Sequence, residues 1–124
     1  MADKLWQKKK TGGHRTLRVA HEIKEILSDL FRRDLPYDPE LGEFYVTVTS
    51  VKVSSSLQDA LVFVIPLDRA KSEAIMEYLN KHAPYFRSGL SKRLGLKFAP
   101  NLRFLMDESY DYADKMHSIL SKLH

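Results

Sequence analysis

The stretch from Asn80 to Ser109, NKHAPYFRSGLSKRLGLKFAPNLRFLMDES, constrains the fold most, because its apolar period changes within a few residues. Between Tyr85 and Leu94 the apolar residues Phe86, Leu90 and Leu94 fall at i, i+4 and i+8, which is one face of a helix. Between Lys97 and Met106 the residues Leu102, Phe104 and Met106 alternate with Arg103 and Leu105, which is the period of a strand. The apolar residues of both elements belong to a core. The same segment carries Arg87, Lys92, Arg93, Lys97 and Arg103 with no acid among them, and reads as one uninterrupted positive face. Such a face calls for a polyanion, with nucleic-acid phosphate as the first candidate.

The rest of the chain supplies a sheet and further helices. His14 to Arg33 reads as the first helix, with Ala20, Ile23, Leu27 and Leu30 on one stripe, flanked by Leu17, Ile26 and Phe31. Thr11 or Thr16 caps its start, and Asp34-Leu35-Pro36 ends it, since the residue before proline disfavours helical backbone. Phe44 to Val53 reads as a strand rich in β-branched residues. Its apolar parity switches between Val48 and Val51, which predicts a bulge near Thr49-Ser50. After a Ser54-Ser55-Ser56 turn, Leu57 to Leu67 reads as its antiparallel partner. The run from Leu61 to Ile65 is apolar on both faces, as in a central, covered strand. A helix begins at Asp68 or Ser72, turns Ile75, Met76 and Leu79 inward, and kinks or stops at Pro84. Gly95 suits the position after the next helix. Ser109 opens a last helix with Met116, Ile119, Leu120 and Leu123 as its stripe. The order α-β-β-α-α-β plus a terminal helix makes an α+β sandwich, with helices on one face of a small sheet.

At 124 residues the chain holds one core, and its apolar and charged fractions are ordinary for a globular domain. It has no cysteine, so disulfides, thiol nucleophiles and cysteine-bearing metal sites are excluded. No signal peptide is expected behind Met1-Ala2-Asp3-Lys4, and no apolar run approaches the roughly 20 residues of a membrane span. Phosphate-cradling glycine loops, HExxH and GxSxG are absent. His14, His21, His82, His117 and His124 form no i,i+4 ligand pair. The acids Asp107, Glu108, Asp111 and Asp114 are the best carboxylate group. They read first as the acidic start of the last helix, and only second as a Mg²⁺ site for a nuclease. With no nucleophile, general acid or base to name, no enzyme, metal or cofactor is expected.

The net charge of +4 says less than its distribution. Residues 1–18 carry Lys4, Lys8, Lys9, Lys10, Arg15 and Arg18 against Asp3, and residues 87–103 carry five bases, leaving the remainder acidic. Two basic segments on an acidic body are the footprint of a protein that turns one face to a polyanion. Residues 1–13, ending in Gly12-Gly13, read as a flexible basic arm ahead of a single domain at 14–124. Within the arm, Trp6 either stacks on a base or packs back on the domain. Gly89 inside a helix costs about 0.5–1 kcal/mol relative to alanine, which suggests close approach by a helix or a partner. Tyr85 is either a stacking platform or a rim over the core.

Six pieces of the chain, in order, resemble the ribosome-binding factor A family. They are Arg15-x-x-Arg18-Val19, Val51-x-Val53-Ser54 with Leu57-x-x-Ala60-x-Val62, Tyr85-Phe86-Arg87-Ser88-x-Leu90, Leu94-x-Leu96-Lys97, Pro100-x-Leu102-x-Phe104, and Asp107-x-Ser109. The resemblance runs from about Arg15 to Leu120. It implies a KH-like fold of type II order α-β-β-α-α-β, and a non-catalytic factor that binds the immature 30S subunit and supports late 16S rRNA maturation, notably in cold-adapted growth. The GxxG clamp of KH domains is missing, since no two of Gly12, Gly13, Gly42, Gly89 and Gly95 stand three apart. The family joins its two helices by an Ala-x-Gly kink instead, and here that place holds His82-Ala83-Pro84. Proline keeps a bend by removing a backbone donor and clashing with the preceding turn.

The expectation is therefore an RNA-binding ribosome assembly factor of the cytoplasm, monomeric off the ribosome. Arg15, Arg18, Arg87, Lys92, Arg93, Lys97 and Arg103 contact phosphates, and Lys8, Lys9 and Lys10 add non-specific attraction. About five contacts to single strands give a log K against log salt slope of roughly −3 to −4. A second reading is a protein-interaction module that docks ribosomal proteins or a GTPase through its acidic end and the apolar loop around Tyr37.

Overall fold

A computed structural model describes residues 14–33 and 35–108. The arm with Trp6 and Lys8, Lys9 and Lys10, and the expected last helix with Asp111 and Asp114, lie outside the described residues. The elements are α1 (His14–Arg33), β1 (Val46–Val53), β2 (Asp59–Pro66), α2 (Ser72–Lys81), α3 (Ala83–Arg93) and β3 (Asn101–Met106), with a short 3₁₀ turn at Arg69–Lys71. This is the expected order, and among the described residues no helix is long and apolar enough to cross a membrane.

The helix α1 has the bounds its sequence predicts, and buries Val19, Ala20, Ile23, Ile26, Leu27, Leu30 and Phe31. Leu17 does not flank that stripe; it points outward and is exposed. Thr16 is not the cap either, because it is the third residue of the helix and is buried. The Asp68 carboxylate accepts from the Ala70 backbone N–H at 3.0 Å and caps the 3₁₀ turn, and Ser72 opens α2 behind it.

The sheet has the order β1-β2-β3, with β1 antiparallel and β3 parallel to β2. The register shifts between Val48 and Ser50. That one extra residue, Thr49, puts Val46, Val48, Val51 and Val53 opposite Pro66, Val64, Val62 and Ala60, all on one face, so the parity switch is the bulge. The Thr49 hydroxyl lies 3.2 Å from the Phe63 carbonyl and 2.5 Å from the Asp107 carboxylate, and its hydrogen bonding ties the bulged residue to β2 and to the residue that follows β3.

Ala60, Val62, Val64 and Phe104 face the helices and are almost fully buried. The sequence suggests a central strand covered on both faces; β2 is central, but its face away from the helices is only partly covered. Phe63 and Ile65 there are half-buried, while Leu61, between Lys52 and Arg103, is buried. Met106 was expected in the core. It closes β3, and at 37% exposure it sits on the rim.

The core is tied by three aromatic rings from three elements. Phe31 of α1 and Phe86 of α3 lie 5.2 Å apart, Phe86 and Phe104 of β3 5.6 Å, and Phe31 and Phe104 6.1 Å. Gly89 lets α1 and α3 meet, since a Cβ there would stand 2.9 Å from the Leu30 Cδ1. At the outer edge of β3, the Asn80 side chain acts as a one-residue strand. Its Nδ2 donates to the Phe104 carbonyl at 3.1 Å, and its Oδ1 accepts the Phe104 N–H at 2.9 Å.

Candidate nucleic-acid interface

The basic residues that converge do so where α1 begins, where β2 and β3 begin, and where α3 turns back. Leu94 ends α3, and Gly95 at φ +64 reverses the chain in the left-handed region, where a Cβ is penalised. Leu96 is half-buried and Ala99 and Pro100 are buried, so the connection is anchored at both ends. The Arg87 Nε donates to the Ala99 carbonyl at 3.0 Å, which ties α3 to the same loop. Lys97 and Phe98 are held outward between these anchors, with the Lys97 Nζ 5.6 Å from the ring centroid.

The opposite wall is the β1–β2 turn. Its hydrogen bonds run from Ser54 N–H to the Asp59 carbonyl (2.9 Å), from Leu57 N–H to the Ser54 carbonyl (2.9 Å) and from Asp59 N–H to the Ser54 hydroxyl (3.2 Å). Together they hold Leu57 at φ 62. A branched residue there is strained, and such strain persists only where neighbours over-determine it. Leu57 was expected to begin the second strand; instead the strand starts two residues later, at Asp59.

Between the walls lies an open groove of about 530 Å³, lined by Arg15, Leu57, Asp59, Arg87, Lys97, Phe98 and their neighbours. Among the described residues the lining holds three cations, one carboxylate and no histidine. The amides of Gln58 and Asn101 add donors and acceptors. The arrangement offers an anion with flat, polar parts cations, amides and an aromatic face.

The remaining expected contacts lie elsewhere, and the single positive face is corrected by the geometry. Lys97 is in the loop, not in a strand, because β3 starts only after Pro100. Arg103 stands opposite Leu61, on the sheet face away from the helices. Arg93 donates to the Asp29 carboxylate of α1 at 3.1 Å. Arg33 and Arg32 approach the same carboxylate at 3.2 and 3.6 Å. The Arg93 hydrogen bond, with the charge of these guanidiniums, holds Asp29 below the usual carboxylate range. Lys92 and Arg18 are exposed.

The kink falls at the expected place. His82 sits between the helices at φ −95, ψ 13, and Pro84 stands in the first turn of α3. The His82 N–H bonds the Tyr78 carbonyl at 3.0 Å and its own carbonyl accepts from Phe86 at 3.2 Å, so the ladder crosses the bend. The His82 ring packs 4.5 Å from Tyr78. The Tyr78 hydroxyl donates to the Pro36 carbonyl, and burial, with the nearby Asp38 charge, pushes its pKa up to about 12. Tyr85 lies on the rim, its ring 5.4 Å from Phe86.

A second cleft, about 550 Å³, opens at this other end between α1 and β1. Its lining includes Phe31, Leu35, Tyr37, Asp38, Glu43 and Tyr45. Tyr37 and Tyr45 are 82% and 60% exposed. Among the described residues no three His, Asp or Glu side chains gather as metal ligands. Sequence reasoning missed Phe98, whose only local signal is an aromatic placed directly after a base.

The ribosome-binding factor A family matches residues 15–120. A relative named ribosome-binding factor A from Beijerinckia indica is 41% identical over 107 residues, 86% of this chain and 76% of its own. The crystal structure of ribosome-binding factor A from Thermus thermophilus superposes with a TM-score of 0.62 at 21% identity, over 73% of this chain and 93% of that one. Coordinates of the Thermus thermophilus factor fitted into a cryo-EM map of a 30S complex give 0.59 at 21% identity, over 72% and 91%. The fold is KH-like α+β, and the chain belongs to the ribosome-binding factor A family.

Proposed function

We propose that this member of the ribosome-binding factor A family is a non-catalytic assembly factor. It binds the immature 30S subunit in the cytoplasm and supports late maturation of 16S rRNA. The observation that carries the RNA contact is the convergence of Arg15, Arg87 and Lys97 on one groove with a single acid. Cations on a fixed, concave surface neutralise phosphates and release counterions. The fit of a Thermus thermophilus homologue into a 30S complex supports the choice of target. Arg18, Lys92 and Arg103 extend the attraction around the domain at 14–124, while Arg93 is held by Asp29, and Lys8, Lys9 and Lys10 on the arm at 1–13 add a non-specific share. The His82-Ala83-Pro84 kink aims α3 at the groove. Off the ribosome the protein is a monomer.

Co-sedimentation with mature and immature small subunits across a salt series tests this reading. The variant is Arg15→Glu/Lys97→Glu, which leaves the Arg87–Ala99 hydrogen bond intact and is checked for folding by its melting curve. Salt-sensitive binding of the wild type, lost in the variant, is expected. No binding of the wild type at low salt overturns the ribosomal assignment. The exposed tyrosines of the second cleft favour a second reading, docking of a ribosomal protein or a GTPase there. It predicts binding unchanged by the charge reversal and lost in Tyr37→Ala/Tyr45→Ala.

A further inference from the structure

We propose that Phe98 is a stacking platform for an unpaired base, so that the groove selects single-stranded RNA. This inference rests on the RNA-binding reading of the groove and adds the class of nucleic acid.

A single exposed aromatic on a protein surface is ordinary and by itself means nothing. Phe98 differs in how it is held and in what surrounds it. The ring is 70% exposed, although Leu94 before it and Ala99 and Pro100 after it are buried. The chain goes inward directly after it, at Ala99 and Pro100, yet the backbone turns this side chain outward. Arg87 fixes the next carbonyl, that of Ala99, at 3.0 Å. The backbone beside the platform is therefore held before any ligand arrives, which leaves less ordering to oppose binding.

The surroundings match a nucleotide. Lys97 places its ammonium 5.6 Å from the ring centroid. Arg15 and Arg87 line the same groove, so phosphates on either side of a stacked base meet cations. The exposed amides of Gln58 on the opposite wall and of Asn101 at the start of β3 line the groove and can pair with base edges. Bases in a duplex are already stacked on each other and offer an aromatic side chain no free face, whereas bases in loops and ends do. The sequence tolerance is broad, because every base has a π-face.

The test uses fluorescence anisotropy at low salt with a labelled mixed-sequence RNA of about ten nucleotides, within the range of single-strand binding sites. A duplex of the same strand is the second probe. Phe98→Leu keeps the apolar bulk and removes the aromatic face. It is expected to weaken single-strand binding by about 5- to 100-fold, and to leave duplex binding unchanged. Phe98→Tyr retains the ring and is expected to bind as the wild type does. Equal weakening on both probes, or none on either, overturns the proposal. If Arg15→Glu/Lys97→Glu loses single-strand binding while Phe98→Leu keeps it, stacking falls and the groove reading stands. If neither variant weakens binding, both fall together.

Discussion

The two ends of the molecule are built from comparable parts and hold their charges differently. At the groove end, Arg15, Arg87 and Lys97 face one acid, Asp59, and an outward phenylalanine. At the cleft end, Arg32 and Arg33 lie beside Asp29, with Asp38 and Glu43 in the same wall and two outward tyrosines. Each end is open and aromatic, with volumes of about 530 Å³ and 550 Å³. The difference is neutralisation. Cations next to carboxylates of their own chain have little left for a polyanion, while cations gathered from three separate segments without such partners do. On the proposed reading, the recognition surface is decided by which bases the fold leaves unmatched, and a count of bases along the chain does not reveal it.

Neutralising two bases at each end should separate them most. Arg15→Gln/Lys97→Gln removes two charge-assisted contacts and should weaken single-strand RNA binding by roughly 100-fold, about 3 kcal/mol. Arg32→Gln/Arg33→Gln should change it only slightly, and equal losses in anisotropy titrations would erase the distinction between the ends. The salt slope sharpens the same point. Three groove contacts give a slope of about −2 for the wild type, against the −3 to −4 expected from five, and the groove variant should fall toward about −1.

Gly95→Ala forces a Cβ into the left-handed region and should cost about 1–2 kcal/mol in a denaturant melt. It should also weaken binding, because Gly95 directs the chain toward Lys97 and Phe98. Tyr78→Phe, at the other end, removes the hydrogen bond to Pro36 and should cost about 1 kcal/mol without touching RNA affinity. The folded-state pKa of Tyr78 is raised from 10.0 to about 12. Its stabilisation is therefore complete below pH 10 and is lost as pH rises toward 12, so the wild type should lose its advantage over Tyr78→Phe across that window.

The smallest effect is expected from Asp29→Asn, which releases Arg93. Affinity should rise by less than about 5-fold, as suits an exposed pair. Because the Asp29 pKa is depressed when folded, its contribution is present above the ordinary carboxylate pKa and disappears as pH falls through the lowered value. Acid melts of wild type against Asp29→Asn should converge there.

Much of this architecture is legible in the chain. The stripe from Ala20 to Leu30 predicts α1, and the parity switch between Val48 and Val51 predicts the bulge at Thr49, because both are strictly local periodicities. Gly89 and Gly95 announce a close approach and a reversal for equally local reasons. The site is only half legible. Arg87, Lys97 and Arg15 are visible as bases, but their meeting depends on a loop whose path is set by Ala99 and Pro100 going inward. The alternation suggests a strand from Lys97, but Pro100 has no N–H for a ladder and β3 begins at Asn101. Arg93 shows no acid within its own helix; its partner, Asp29, is 64 positions away. Periodicity reports one element's faces, and pairing across elements is invisible to it.

Asn80 bears on the company this protein keeps in a crowded solution. A three-stranded sheet ends in two backbone edges, and an open edge is a template on which another chain can polymerise. Asn80 already satisfies both outward backbone groups of Phe104, so a stranger's strand finds no place to start there. The other edge, β1, is broken in its middle by the bulge. An Asn80→Ala chain would still reach its native shape, yet carry an adhesive seam along one flank. Its defect would surface as turbidity and short shelf life at high concentration, well before any failure of folding.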